Sequence, residues 1–472
     1  FYAFAIWCGM GVAALYDWIT RKLQKQHTAV AIVVSVAGIL VPIQMISQTY
    51  DDHNRSGRYT CRDFGANYLM TLQDKGDPII FTNGDNDTFP LWYNQEVENK
   101  RTDARVCNLS YLQTDWYIDQ MKRPAYNSPA LPISWKRLDY CEGTNNYIEV
   151  QPSIKEEIKQ FYKENPQEAR KRFGDDPFEV HNIMKYWVLS KEQDMRVIPT
   201  DTLYLKVDKA AVRRSGMLLQ GDSIPDKMVI SLSGKRALYK GDLMMLELIA
   251  NSNWTRPVYI ATTVGEENYM NLGNNFISEG LANRITPFTT NVPGAKNFDT
   301  EKVYTNMMTR YRYGGLDKKG LYLDETVLRM CYTHRRLFAQ LALQLISEGK
   351  IKKAKAVLEK ADRVIPAYNV PLNFLSGAAD LARAYALVGD KKKALEYINA
   401  AWKDAEQFAR WYLTLSQSNF NASQSNCLTQ FYILNQIIGT TEMVDKSLAR
   451  KKAIELDMLT HLYQKRGGTM PQ

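Results

Sequence analysis

The stretch "PIIFTNGDNDTFPLWYNQEV", residues 78–97, decides how the middle of this chain folds. Its opening run, Pro78 to Phe81, is uncharged and too short for a core helix, so it suits a strand buried on both faces. A polar loop, "TNGDND", comes next, and then a helical pattern from about Thr88 to Glu98. The same order recurs at once, with strand "ARVCNL" (104–109), loop "SYLQT" (110–114) and helix "DWYIDQMKR" (115–123). Continuous apolar strands alternating with helices predict a parallel sheet.

Asp85 and Asp87 flank Asn86 in the first loop. A calcium-binding EF-hand loop needs oxygen ligands at its first, third and fifth positions and glycine at the sixth. Counting from Asp85 puts Phe89 fifth and Pro90 sixth, so that reading is set aside. Capping fits better, because Asp87 or Thr88 can accept the free amides of the helix start and Pro90 fits its first turn. Asp85 and Asn86 then have no structural duty, and they stand where the carboxyl end of a parallel strand meets a helix amino terminus. If the two strands are neighbours, Asp85, Asn86, Asp87, Asn108, Thr114, Asp115 and Trp116 line one crevice. Carboxylates, amides and an indole suit a hydroxyl-rich ligand, with the ring as a stacking floor. Capping and packing alone remain the rival reading. No residue is assigned a catalytic or metal-binding role, and no cofactor is expected.

Outward from this core, 472 residues predict two to four domains. Sixty Lys and Arg against fifty-one Asp and Glu give +9, spread along the chain rather than in a basic block, so nucleic acid is not an expected partner. The run "FYAFAIWCGMGVAALY" carries no charge before Asp17, and "TAVAIVVSVAGILVPIQMI" (28–46) has none in nineteen residues. That length matches a hydrocarbon core of roughly 30 Å, whereas the apolar core of a signal peptide is shorter. Two transmembrane helices are therefore predicted over residues 1–48. Arg21, Lys22, Lys25 and His27 between them mark a cytoplasmic loop. The chain beyond residue 48 is then extracytoplasmic, in the periplasm of a bacterium and tethered to its inner membrane.

Asp51, Asp52 and His53 are adjacent, and neighbours on a helix point about 100° apart, so they are not read as metal ligands. "DDHNRSGRYTCRDFGANYLMTLQDKGD" (51–77) reads as an amphipathic helix through Tyr59, Phe64, Tyr68 and Leu72, ending at Gly76. Outside the apolar segments Cys61, Cys107, Cys141, Cys331 and Cys427 make an odd number. Pairing of Cys61 with Cys107 or Cys141 stays open, but burial as small apolar side chains is the preferred reading.

The chain turns irregular from Pro124 to about Thr200, apart from the charged, solvated helical stretch "SIKEEIKQFYKENPQEARKRF". Strands "TLYLKV" (202–207) and "KMVISL" (227–232), helix "GDLMMLELIANS" (241–252) and strand "RPVYIATT" (256–263) continue the α/β pattern. Trp254 and Tyr259 are read as packing. Beyond Asp324 a repeat appears: "ALQLISEGKIKKAKAVLEKADRVIP" aligns with "DLARAYALVGDKKKALEYINAAW" through Gly349 with Gly389, Ala354 with Ala394 and Ala361 with Ala401. This is a tetratricopeptide-like pattern stretched by the insert "AYNVPLN", completed by helices such as "QFYILNQIIGT". The expected architecture is an α/β domain with a mainly parallel sheet over 49–323, between the two membrane helices and an all-α repeat domain over 324–472. The repeats either dock a protein partner or brace the fold.

"DDHNRSGRYTCRDFGANYL", "IIFTNGDNDTFPLWYNQEV" and "RVCNLSYLQTDWYIDQMKR", after a last membrane helix and before tetratricopeptide-like helices, resemble the carboxy-terminal half of a bacterial membrane-protein family. That family, long known as a domain of unknown function, is placed with protein O-mannosyltransferase-like glycosyltransferases of the GT-C type. The resemblance implies a multi-spanning module ahead of this segment, which transfers a sugar from a polyprenyl phosphate to an extracytoplasmic acceptor protein or glycan. Its catalytic acid lies in an early loop outside these residues, so Asp85 and Asp87 do not inherit that role and this segment is not expected to be catalytic by itself. A membrane-anchored, non-catalytic scaffold is the alternative.

Overall fold

The computed structural model describes residues 2–24, 27–219, 223–290 and 295–469; Lys25 of the basic loop lies outside them. The chain forms two compact units. One is the chain up to Arg58 with Gly320–Asp324, and the other is Tyr59–Lys319 with Glu325 onward.

In the first unit, α1 (Tyr2–Leu23) and α2 (His27–His53) are both long and apolar enough to cross a membrane, and little of either is buried within the protein. α2 extends past the predicted span at its carboxyl end. Arg21 and Lys22 close the last turn of α1, where cations complement the helix dipole.

The second unit holds the sheets. α3 (Thr60–Thr71) carries Phe64 and Tyr68, with Leu72 just beyond its end, into the core. Tyr59 stands before the helix and is half exposed, and the helix stops short of the predicted Gly76. β1 (Ile79–Thr82), α4 (Asp85–Glu96), β2 (Arg105–Asn108) and α5 (Asp115–Met121) come next, in the predicted order. Every residue of both strands is buried, which is why each reads as an unbroken apolar run.

The remaining strands are β3 (Tyr147–Val150), β4 (Val197–Ile198), β5 (Thr202–Lys206), β6 (Lys227–Ser231), β7 (Ala237–Tyr239), β8 (Val258–Ala261), β9 (Phe276–Ser278) and β10 (Ala282–Ile285). The central sheet has the order β2-β1-β8-β10-β9. β1 runs parallel to both β2 and β8, but β8–β10 and β10–β9 are antiparallel, so the sheet is mixed rather than mainly parallel. β5 and β6 do not extend it either. They form a separate antiparallel pair whose residues alternate between buried and outward-facing. Helix α6 (Lys240–Ser252) has most of its residues buried. Trp254 and Tyr259 are also buried, and the Tyr259 hydroxyl donates to Glu279 at 2.8 Å. Cys107, Cys331 and Cys427 are buried in this unit.

The rest is helical: α7 (Glu325–Ser347), α8 (Ile351–Val364), α9 (Ala378–Leu387), α10 (Lys391–Thr414), α11 (Gln424–Glu442) and α12 (Lys446–Lys465). Gly349 and Gly389 turn α7 into α8 and α9 into α10 with φ of +71° and +85°, a region glycine enters at no steric cost. Ala354, Ala361, Ala394 and Ala401 are all buried, so the aligned alanines sit at close helix packing. The insert between the hairpins is held by the buried Arg335, which donates to the carbonyls of Ile365, Val370 and Pro371 at 2.7 to 2.9 Å.

Candidate functional site

Because β2, β1 and β8 are parallel, their carboxyl ends share one edge of the sheet. The chain leaves β1 toward β2 on one side and leaves β8 toward β9 and β10 on the other. A crevice opens where such connections diverge, the usual ligand position in open α/β sheets. The "TNGDND" loop lies at this edge.

α4 begins at Asp85, earlier than the predicted Thr88. Gly84 precedes it at φ +89° and ψ −178°, a conformation closed to side-chain-bearing residues. Asp85 and Asn86 are exposed in the first turn, where the helix dipole favours negative charge. Pro90 falls inside the helix and has no N–H to return to the Asn86 carbonyl.

Asp87 turns inward and is only 2% exposed. Its Oδ2 accepts the backbone N–H of Asn83 at 3.2 Å and the Thr263 hydroxyl at 2.9 Å, tying the ends of β1 and β8 together. Having donated to Asp87, Thr263 accepts from the buried Tyr68 hydroxyl at 3.0 Å. Asp87 Oδ1 is buried with no hydrogen-bond partner among the described residues. Burial pushes the carboxyl up to about 6, against the hydrogen bonds that favour its charge.

The other expected residues divide. Asn108 is buried and donates to Thr88 Oγ1 at 2.8 Å, while its carbonyl oxygen accepts the Tyr111 N–H at 3.1 Å. It therefore clamps β2 to α4 instead of facing solvent. Thr114 donates to the Tyr111 carbonyl at 2.7 Å, and Asp115 pairs with Arg137 at 3.0 Å. Trp116 is 54% exposed.

Around Trp116 the structure assembles a row that local spacing does not reveal. Phe89 and Trp92 lie 5.7 Å apart, Trp92 stacks on Tyr111 at 6.3 Å, and Tyr111 meets Trp116 at 5.9 Å. Residues from α4 and from the loop and helix after β2 thus form one aromatic surface, with Phe89 and Trp116 about half exposed at its ends. A cavity of 240 Å³ opens beside the crevice, lined by Asn83, Ser110, Gln113, Asp242 and Asn268 among others. Ser110 donates to the Asn83 side-chain oxygen across its mouth at 2.5 Å. Neutral amides, hydroxyls and aromatic faces in this combination can hold a polyhydroxylated ligand by hydrogen bonds and stacking.

No curated protein and no solved structure matches this chain. A sequence family does, and its match over residues 61–306 takes in nearly all of α3, the ten strands among the described residues, and the crevice with its aromatic row. That match spans just over half of the chain, which therefore belongs to the family described as TMEM260-associated domain 2.

Proposed function

We propose that this chain is the extracytoplasmic carboxy-terminal part of a bacterial protein O-mannosyltransferase-like membrane protein, and that its crevice captures acceptor protein or glycan. The sugar-transfer chemistry, from a polyprenyl-phosphate donor, belongs in this reading to a multi-spanning module outside these 472 residues. Its main support is the exposed Asp85–Asn86 pair beside the aromatic row from Phe89 to Trp116. A carboxylate and an amide can grip sugar hydroxyls while ring faces take the apolar face of the sugar.

The test is Asp85→Asn in the intact protein, alongside Trp116→Ala. Both side chains are outward-facing, so the melting temperature should hold while glycosylation of extracytoplasmic proteins falls about tenfold, a loss of ~1.4 kcal/mol in capture. Full glycosylation with a lowered melting temperature would assign Asp85 to structure instead. A second reading, a tetratricopeptide-like scaffold that docks a protein partner, is favoured by the exposed Phe408, Trp411 and Tyr432 on the helical hairpins. Under it, Trp411→Ala would lose the partner and Asp85→Asn would change nothing.

A further inference from the structure

A larger cavity than the one beside the crevice lies away from it. It is a cleft of 1480 Å³ between the β9–β10 side of the central sheet and helix α7. On the helix side, Thr333, Arg336, Gln340, Gln344 and Ser347 recur at three- and four-residue steps and so form a single stripe. The facing wall carries Ser278 and Asn283 from the strands, with Asn274 and Asn297 from the adjoining loops.

The lining is chemically selective. Fourteen of its twenty-three residues bear a neutral hydroxyl or amide, and only Glu266 and Arg336 are charged, with opposite signs. Across the whole chain 24% of residues are charged, so a gap left merely as solvated surface would carry more charge than two residues in twenty-three. Small-molecule pockets, for their part, are lined mainly by apolar side chains. This cleft departs from both patterns in one direction, toward neutral hydrogen-bonding capacity.

Much of that capacity is unspent. Among the described residues, the side-chain amides of Asn274, Asn283, Asn297 and Gln340 make no hydrogen bond within the protein. Other polar groups of the wall are committed and stiffen it. Asn271 donates to the Ser231 and Ser233 carbonyls at 3.0 and 3.1 Å, and Thr262 donates to the Leu281 carbonyl at 2.9 Å. Tyr269, Phe276 and Phe298 contribute ring faces. An added peptide strand is disfavoured, because β9 already accepts a neighbour: the Ser278 N–H donates to the Asn297 carbonyl at 2.9 Å, and the Asp299 N–H to the Ser278 carbonyl at 2.9 Å.

We infer that the cleft between β9–β10 and α7 is a binding site for an uncharged, hydroxyl-rich oligosaccharide. The inference stands on this lining alone and holds whether or not the crevice captures an acceptor. The full chain in detergent is titrated with manno-, malto- and cello-oligosaccharides, with oligogalacturonate as the acidic counterpart and an unstructured neutral peptide as the protein-like one. At least one neutral series binds, and Asn283→Ala combined with Gln340→Ala weakens it about tenfold or more with the melting temperature unchanged. Gln340→Glu, which keeps the shape and adds charge on an exposed helix face, weakens it as well and serves as an independent check on folding. Asp85→Asn reports separately on the crevice, so either reading can fail alone. Absence of binding by every neutral series, binding unaffected by the Asn283 and Gln340 changes, or equal binding of oligogalacturonate or of the peptide would overturn the inference.

Discussion

Asp87 gives the most quantitative test, because its surroundings fix a sign as well as a size. Its carboxyl moves from 3.8 to about 6 on folding, with burial as the leading cause. At 1.36 kcal/mol per tenfold change in acidity, the charged form is disfavoured in the folded chain by about 3 kcal/mol. Between those two values the folded state binds more protons than the unfolded one. The contribution is therefore fully present below pH 3.8 and is lost as pH rises through about 6. Asp87→Asn removes the titration. Its amide oxygen can still accept from Asn83 and Thr263, while the new NH₂ replaces the unpartnered Oδ1 at a cost of about 1–3 kcal/mol for a buried, unsatisfied donor. At pH 7.5 the gain and this cost nearly offset, so the variant should lie from about equal to about 2 kcal/mol more stable.

The decisive quantity is the change with pH. Denaturant unfolding of both proteins from pH 4 to 8 should show the variant gaining about 2.5 kcal/mol relative to the natural chain across that range. His181, Asp242 and Asp299 also have raised values, but they are common to both proteins and cancel in the difference. A difference that stays flat with pH would mean that burial does not raise the Asp87 carboxyl on folding, and the argument for a tuned acid at this edge would fail.

Packing and charge supply two more expected outcomes. Replacing Ala354 or Ala394 by leucine, both at 0% exposure, should overpack the hairpins and cost about 1–3 kcal/mol, read as a lowered melting temperature; unchanged melting in both variants would refute the close crossings. On the expectation that Arg21 and Lys22 at the end of α1 face the cytoplasm, a phosphatase fused after the last residue should be active, and a signal from a cytoplasm-only reporter would reverse the orientation.

How much the sequence discloses depends on the range of the forces involved. β1 and β2 were legible because each is set by a local run, "PIIF" and "RVCN", buried along its whole length, and α4 and α5 each follow a strand after a short polar loop. The alanine-and-glycine correspondence of the hairpins is equally local. By contrast, β8 joins β1 across nearly 180 residues, and no pattern in "RPVYIATT" names that partner. The antiparallel β5–β6 pair was readable in principle. Its alternation of buried and outward residues differs from the continuous burial of β1 and β2, and that alternation is the signature of a sheet with one solvated face.

The site divides along the same line. Asp85, Asn86 and Trp116 lie exposed, as their positions beside strand ends suggested, because a short loop and a helix start leave little room for burial. Asp87 and Asn108 were harder to place, since their partners decide them. Thr263 comes from the end of the neighbouring strand β8, 176 residues away in sequence, to take Asp87, and Thr88 takes Asn108 across the β1–β2 crossover. The larger cleft was out of reach for a related reason, because its two walls come from segments that the sequence assigns to different domains. A polar joint ties α7, the helix wall, to α3. The Asn67 amide donates to the Arg312 carbonyl at 2.7 Å and bonds His334 Nε2 at 2.9 Å, while its oxygen accepts the Arg312 N–H at 2.9 Å. Burial pushes His334 down to about 4, so the imidazole stays neutral at ordinary pH, and a neutral ring can accept at Nε2. Glu301 adds an outer contact by pairing with Lys350 and Lys353 at 2.7 and 2.8 Å. α7 is thus anchored on its buried side to α3, and the turn that follows it is held by Glu301, so the helix wall of the cleft is in place before a ligand enters, which lowers the ordering cost of binding.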